Sequence, residues 1–240
     1  MIAVGGAQSV DDGSDGGYSV IGELLQDVMV TAYGEWTPEN GCAAAEIAAA
    51  GERLGTGLPD ALRDYYAVAG RHAELMGAGG HEHTLRIHDP GHLTVEDGWL
   101  VFCGENQWSA QWSVRPDDAD WSDPRVDGRA EPGGKWYSEC RRLSAFLLNV
   151  ACRQAVRSLP YQATCRLRKG QLETVESLLG YLGSREACRG GDWLSFIDRP
   201  ARVLAGYSYI TSTVRLGAVA PDALASFRER SGLRLKTEDR

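Results

Sequence analysis

The segment EDGWLVFCGENQWSAQWSV, residues 96–114, carries the strongest structural signal in this sequence. Its first arm is a run of mostly apolar residues. Its second arm alternates apolar and polar side chains: Trp108, Ser109, Ala110, Gln111, Trp112, Ser113 and Val114. A period of two is typical of a β-strand with one buried and one open face. Polar residues between the arms, Glu105, Asn106 and Gln107, suit a tight turn, so we predict a β-hairpin over residues 98–114.

Helical spacing flanks this hairpin on both sides. Apolar residues recur every three or four positions near 19–33, and again before and after the glycines at 55 and 57. Glycine commonly ends a helix and proline suits a first helical turn, so we predict two helices that meet between Gly55 and Pro59. The longest pattern, at 139–157, predicts a helix with one apolar stripe. Its basic residues are predicted to stay in solvent: Arg141, Arg142, Arg153 and Arg157.

The remaining patterns place this chain in the α+β class. Residues 71–92 are Gly-rich and predicted to be irregular. Short strands are predicted near 125 and 135 and at 193–197, 202–207 and 211–216, with helices near 171–180 and after Pro221. We predict a single, mostly antiparallel sheet with helices packed on one side. Whether residues 160–240 complete that sheet stays open.

Composition divides the chain into one domain with two tails. Residues 1–18 are rich in Gly, Asp and Ser, which predicts a disordered acidic tail. Residues 19–232 are predicted to form one domain, and 233–240 a C-terminal tail. No signal peptide and no run of about 18 apolar residues is present, so we expect a cytoplasmic protein without a membrane contact. The six cysteines lack C-x-x-C spacing and are expected to be buried, apolar side chains.

Charge restricts the class of partner. The net charge is −8, and residues 1–41 hold seven acids and no Lys or Arg. Phosphate binding needs a basic face, so direct binding of nucleic acid is not expected. An acidic surface favours a basic protein partner and speeds encounter with it, although it also serves solubility.

Motifs for catalysis are scarce. No nucleophile elbow and no phosphate-binding glycine motif occurs, so we expect no enzyme activity and no cofactor. All five histidines lie within 72–92. His81 and His83 are spaced to share one face of a strand and, with Glu82, Asp89 or His92, form a possible zinc site. A metal-dependent enzyme that uses residues 81–92 is therefore one alternative, and an exposed loop is the other.

The acidic segment that follows the hairpin is the main candidate for partner binding. In RPDDADWSDPRVD, residues 115–127, aspartates surround Trp121. Tryptophan is a frequent energetic anchor of interfaces, and the alternative is a ring folded back onto the sheet. We predict these partner-binding residues: Glu105, Asn106, Asp117, Asp118, Asp120, Trp121 and Asp123.

Three segments in this order carry a family resemblance. They are AAAEIAAAGERLGTGLPDALRDYYAVAG at 43–70, LTVEDGWLVFCGENQWSAQWSV at 93–114 and DDADWSDPRV at 117–126. Together they resemble the SUKH superfamily, which includes fungal cell-wall regulators and bacterial immunity proteins. GYSYITSTVRLGAVAPDALASF, 206–227, is similar to the final strands and helix of such proteins. Residues 77–92 and the acidic N-terminus depart from the family pattern.

The resemblance implies an α+β domain that binds a protein and has no catalytic residues. Bacterial members of this kind neutralise a cognate toxin, often a nuclease, by binding it. The resemblance therefore implies a toxin domain as the partner, and the acidic balance fits a basic one. The family also supplies regulatory or scaffold proteins, which is the second functional expectation. The oligomeric state is left open.

Overall fold

The computed structural model describes residues 20–79, 85–107, 109–118, 120–131, 133–183, 188 and 193–238. The predicted acidic tail 1–18 lies outside these residues, as do Trp108, His81, Glu82 and His83. Six α-helices are present in the described part: α1 (Val20–Tyr33), α2 (Ala44–Leu54), α3 (Asp60–Ala69), α4 (Leu143–Ser158), α5 (Gln171–Leu178) and α6 (Pro221–Ser231).

The strands form two antiparallel sheets. Sheet A has the order β1-β3-β4-β5-β6, with β2 also paired to β3, and sheet B has the order β12-β7-β11-β10-β9-β8. The strands of sheet A are β1 (Leu85–Ile87), β2 (Thr94–Glu96), β3 (Trp99–Glu105), β4 (Gln111–Val114), β5 (Val126–Arg129) and β6 (Tyr137–Cys140). Those of sheet B are β7 (Tyr161–Arg166), β8 (Gly180–Tyr181), β9 (Trp193–Asp198), β10 (Val203–Ser208), β11 (Thr213–Ala218) and β12 (Lys236–Glu238).

The α+β prediction is confirmed, and the prediction of a single sheet is wrong. The reason lies in α4, in which 12 of 16 residues are buried rather than one stripe. A helix that is buried on most sides needs a layer on each side of it. Phe146 contacts Phe102 of sheet A edge-on at 5.5 Å between ring centroids, and Cys152 Sγ donates to Ala205 O of sheet B at 3.5 Å. Residues 160–240 therefore build their own sheet behind α4.

Helices pack on both faces of sheet B, which corrects the predicted one-sided arrangement. One hydrophobic cluster joins α1, α3, α4 and sheet A to Ile197 and Leu204 of sheet B. A second cluster lies on the other face of sheet B and contains Val175 of α5 and Phe227 of α6. The layers thus follow the order sheet A, helices α1, α3 and α4, sheet B, and helices α5 and α6.

The helices predicted from spacing are confirmed, but the prediction that the arginines of α4 stay in solvent is wrong for Arg153 and Arg157, which are half-buried. Gly55 ends α2 in the left-handed conformation, with φ 71°, where glycine carries no steric cost. Arg153 of α4 was predicted to stay in solvent. It is half-buried and lies over the Trp193 ring at 5.7 Å, and burial lowers the pKa of its guanidinium to about 10.

The hairpin is confirmed as β3 and β4, whereas the predicted open face of β4 is wrong. Gln111 and Ser113 are 7% and 0% exposed. A stack of cationic and aromatic side chains lies on this outer face, with Trp99 and Trp136 at 4.9 Å between centroids. An arginine lies at each end of the stack, Arg115 over Trp99 and Arg129 over Trp136. The alternating sequence of β4 correctly indicated a polar face, but it did not indicate that other side chains cover that face.

Strands β1, β2, β7 and β12 form where the sequence predicts none. Residues 71–92 contain β1, which pairs with β3 as Ile87 with Cys103. The predicted C-terminal tail contains β12, which pairs with β7 as Thr237 with Ala163. β1 and β12 have three residues each, which is too short for a periodic signal. β7 has six residues, and its strand was missed. No helix in the described part of the chain is long and apolar enough to cross a membrane.

Candidate functional site

The acidic loop, residues 115–125, joins β4 to β5 and is ordered by its own carboxylates. Arg115 pairs with Asp117 at 2.6 Å. Asp118 accepts the backbone N–H of Asp120 at 3.2 Å and that of Arg125 at 3.3 Å. Aspartate often organises turns through such bonds to nearby backbone amides. The described part of the loop therefore holds a defined shape.

Asp120 marks the point where the acidic loop meets α3. The hydroxyl of Ser122 donates to Asp120 at 2.6 Å, and this bond lowers the pKa of the exposed Asp120 carboxyl. The backbone N–H of Ala61, at the start of α3, donates to Ser122 O at 3.1 Å. Asp120 thus stays ionised next to the beginning of a helix.

Two of the predicted partner-binding residues, Asp123 and Trp121, make contacts within the protein itself. Asp123 accepts the backbone N–H of Ser144 at 2.7 Å and its hydroxyl at 2.6 Å. These bonds satisfy a donor in the first turn of α4, as a helix cap does. Trp121 is half-buried and packs against the main hydrophobic cluster. Its position matches the alternative interpretation, in which the ring folds back onto the protein.

The hairpin tip lies apart from the acidic loop. Glu105 accepts the backbone N–H of Gln107 at 2.7 Å and the hydroxyl of Ser109 at 3.0 Å, and Asn106 is exposed. The tip precedes β4 and the acidic loop follows it, so the length of a four-residue strand, about 13 Å, separates them. The predicted residues therefore form two groups at opposite ends of β4.

A groove beside the acidic loop was not predicted from the sequence. It has a volume of about 540 Å³ and lies between the N-terminal ends of α1, α3 and α4. Its apolar lining residues are Val20, Ile21, Leu24, Ala61, Ala145 and Leu148, and its charged ones are Asp60, Asp64, Asp123 and Arg142. Val20 is 75% exposed at its edge. The spacing of Asp60 and Asp64, four residues apart on one helix, is the sequence signal that places two acids on this side.

Negative charge predominates where the acidic loop and the groove meet. Arg63 pairs with Asp60 at 2.6 Å, as Arg115 does with Asp117. Within the described chain, Asp118 and Asp120 form no ion pair with a basic side chain. Exposed pairs contribute only about 0–1 kcal/mol, so the two arginines exchange partners at little cost. This surface can therefore attract a basic protein.

A second cavity of about 340 Å³ lies between sheet A, α4 and sheet B. Its aromatic lining is Trp112, Phe146 and Trp193, and its polar lining includes Glu105, Glu139, Asn149, Arg153 and Cys188. The buried indole N–H groups of Trp112 and Trp193 have no hydrogen-bond partner. Burying a donor without a partner is costly, so this part of the core is polar in character and suited to bound water.

The histidine region contains no metal site among the described residues. His92 Nδ1 lies 2.6 Å from Asp89, and burial lowers the pKa of His88. No group of three or more His, Cys, Asp or Glu in the described ranges is arranged to hold a metal ion. His81 and His83, on which the zinc alternative depends, lie outside those ranges.

Comparison of the chain with protein-family models, with curated proteins and with solved structures returned no match.

Proposed function

We propose that this chain is a non-enzymatic immunity-type protein that binds and blocks a basic toxin domain, such as a nuclease, in the cytoplasm. The observation that carries the proposal is the acidic loop beside an apolar groove, with Asp118 and Asp120 in no ion pair with a basic side chain of the described chain. The resemblance of residues 43–126 to the SUKH superfamily supports the same function. No cofactor takes part.

Charge and apolar surface have separate tasks in this mechanism. Asp117 and Asp120 are exposed, and they attract a basic surface over about a Debye length, which raises the association rate. The groove then accepts an apolar side chain of the toxin between Leu24 and Leu148, which slows dissociation. Inhibition follows from steric occlusion of the toxin, so this chain needs no catalytic group.

The test uses a toxin encoded beside this chain and the paired variant Asp117→Asn/Asp120→Asn. Both positions are exposed, and asparagine keeps an oxygen that can accept from Ser122. We expect the association rate to fall about tenfold at low salt, and the difference to shrink above about 0.5 M salt. Surface plasmon resonance measures the rate, and survival of toxin-expressing cells measures protection.

The matched control removes two exposed acids far from this surface, Glu173→Gln/Glu229→Gln on α5 and α6. An equal loss of rate in both pairs would mean that only net charge matters and that the acidic loop is not the interface. Val20→Ser, at the exposed edge of the groove, is expected to raise the dissociation rate instead. Binding without protection of cells would favour the regulatory or scaffold function over immunity.

A further inference from the structure

We propose that Cys140 and Cys188 form an oxidation site: a pair of thiols that closes into a disulfide between the two sheets. Their sulfur atoms lie 2.6 Å apart, although the residues are 48 positions apart in the chain. A disulfide bond is about 2.05 Å long, so a shift of about 0.5 Å brings the sulfurs to bonding distance. Of the other four cysteines, Cys103, Cys152 and Cys165 donate to backbone carbonyls.

The two cysteines belong to different layers of the fold. Cys140 is the last residue of β6, at the edge of sheet A. Cys188 forms an isolated bridge with Trp193, the first residue of β9 in sheet B. Both side chains are buried, at 3% and 2% exposure. Burial in a packed core keeps the two sulfurs together, so the pair is preorganised for bond formation.

Surrounding groups position the Cys188 sulfur. Asn149 Nδ2 lies 3.6 Å from Cys188 Sγ as its donor, and Asn149 Oδ1 accepts from Ser195 Oγ at 2.7 Å. Cys188 also lines the 340 Å³ cavity, together with the charged groups Glu105, Glu139 and Arg153. This cavity provides a path by which a small oxidant reaches a buried thiol.

Hydrogen peroxide is an oxidant small enough for this path, and it balances the reaction. The Cys188 sulfur attacks one peroxide oxygen, the O–O bond breaks, and the thiol proton leaves with the other oxygen as water. The Cys140 sulfur then attacks the resulting sulfenic acid, the S–O bond breaks, and a second water carries away the Cys140 proton. The sum is two thiols and one peroxide to one disulfide and two waters.

Reactivity at neutral pH is expected to be slow. Contact with Cys140 and burial both raise the pKa of the Cys188 thiol, and the Glu139 carboxylate acts in the same direction. The thiolate is the reactive form, so a protonated pair resists brief exposure to peroxide and oxidises on long exposure. The disulfide, once formed, fixes one wall of the cavity because it joins Cys188 to β6.

The test begins with the reduced full-length chain and a long incubation with hydrogen peroxide. Thiols are then counted after denaturation, and the cross-linked peptides are identified by mass spectrometry. We expect the six thiols to fall to four, the intact mass to fall by about 2 Da, and the linked peptides to contain Cys140 and Cys188. Reduction should restore all six.

Cys140→Ala and Cys188→Ala are expected to abolish the loss of two thiols, whereas the matched control Cys165→Ala is expected to retain it. The proposal fails if the wild-type chain keeps six thiols, if the link joins other cysteines, or if oxidation adds mass without a cross-link. Thermal unfolding supplies a readout on the wild-type chain alone. The oxidised form should melt at least about 5 °C higher than the reduced form, because the bond closes a long loop.

Discussion

Aspartates of a single loop bind different groups in this protein. Asp117 forms an exposed ion pair with Arg115, and Asp118 accepts two backbone amides of the same loop. Asp123 reaches across to α4 and accepts both donors of Ser144. Residue type and spacing predicted an acidic surface here, but they do not distinguish a carboxylate in solvent from one that caps a helix 20 residues away.

Asp123→Ala is expected to destabilise the protein by about 1–2 kcal/mol. The substitution leaves the Ser144 amide in the first turn of α4 without its acceptor, and a lost helix cap has this magnitude. Asp117→Ala is the control in the same loop, with an expected loss below about 1 kcal/mol because its ion pair is exposed. Urea unfolding measures both, and equal losses would contradict the capping role.

At the scale of elements, local signals account for what the sequence predicted correctly. The helix α2 and its glycine terminus, the helix α3 and the β3–β4 hairpin all follow from periodicity and turn residues within about 20 positions. The second sheet does not, because the strands β9, β10 and β11 look the same whether they extend sheet A or form sheet B. The burial of α4 on most of its surface decides between these two arrangements. The sequence does not reveal this burial, because the arginines in and before α4 indicate a face in solvent.

The groove escaped prediction for the same reason. Val20 and Leu24 of α1, Asp60 of α3 and Leu148 of α4 line it from separate segments of the chain. Each segment shows its own apolar stripe, but only the packing of three helix ends makes a shared surface. By contrast, the aspartates of the acidic loop were identifiable because they lie close together in one segment, residues 117–123.

Gly206 in β10 shows how closely the elements of sheet B pack. Trp193 of β9 lies across it, and a Cβ atom added at Gly206 would stand 1.8 Å from the ring. Gly206→Ala is therefore expected to destabilise the protein by about 1–3 kcal/mol or more through overpacking. Gly180→Ala is the control in the same sheet, since its nearest contact is 3.6 Å. Similar melting of the two variants would mean that Trp193 does not occupy this position.

Over the whole molecule, the helix α4 joins the two sheets into one packed unit. It shares a hydrophobic cluster with sheet A, α1 and α3, and the same cluster reaches Ile197 and Leu204 of sheet B. If either sheet unfolded, the face of α4 that packs against that sheet would be exposed to solvent. Unfolding is therefore expected to be cooperative across the described layers.

Phe146→Ala tests this coupling, because the ring contacts Phe102 and Trp112, both in sheet A. Loss of a buried phenyl ring is expected to cost about 3–5 kcal/mol. If α4 couples the sheets, tryptophan fluorescence and backbone circular dichroism should report one transition at the same lowered temperature. Phe227→Ala is the control on the far face of sheet B, where the ring belongs to α6 and is buried in a cluster that contains no residue of α4. It should lower the same single transition. Early loss of sheet A in Phe146→Ala, with sheet B melting at the wild-type temperature, would show instead that the two sheets unfold independently.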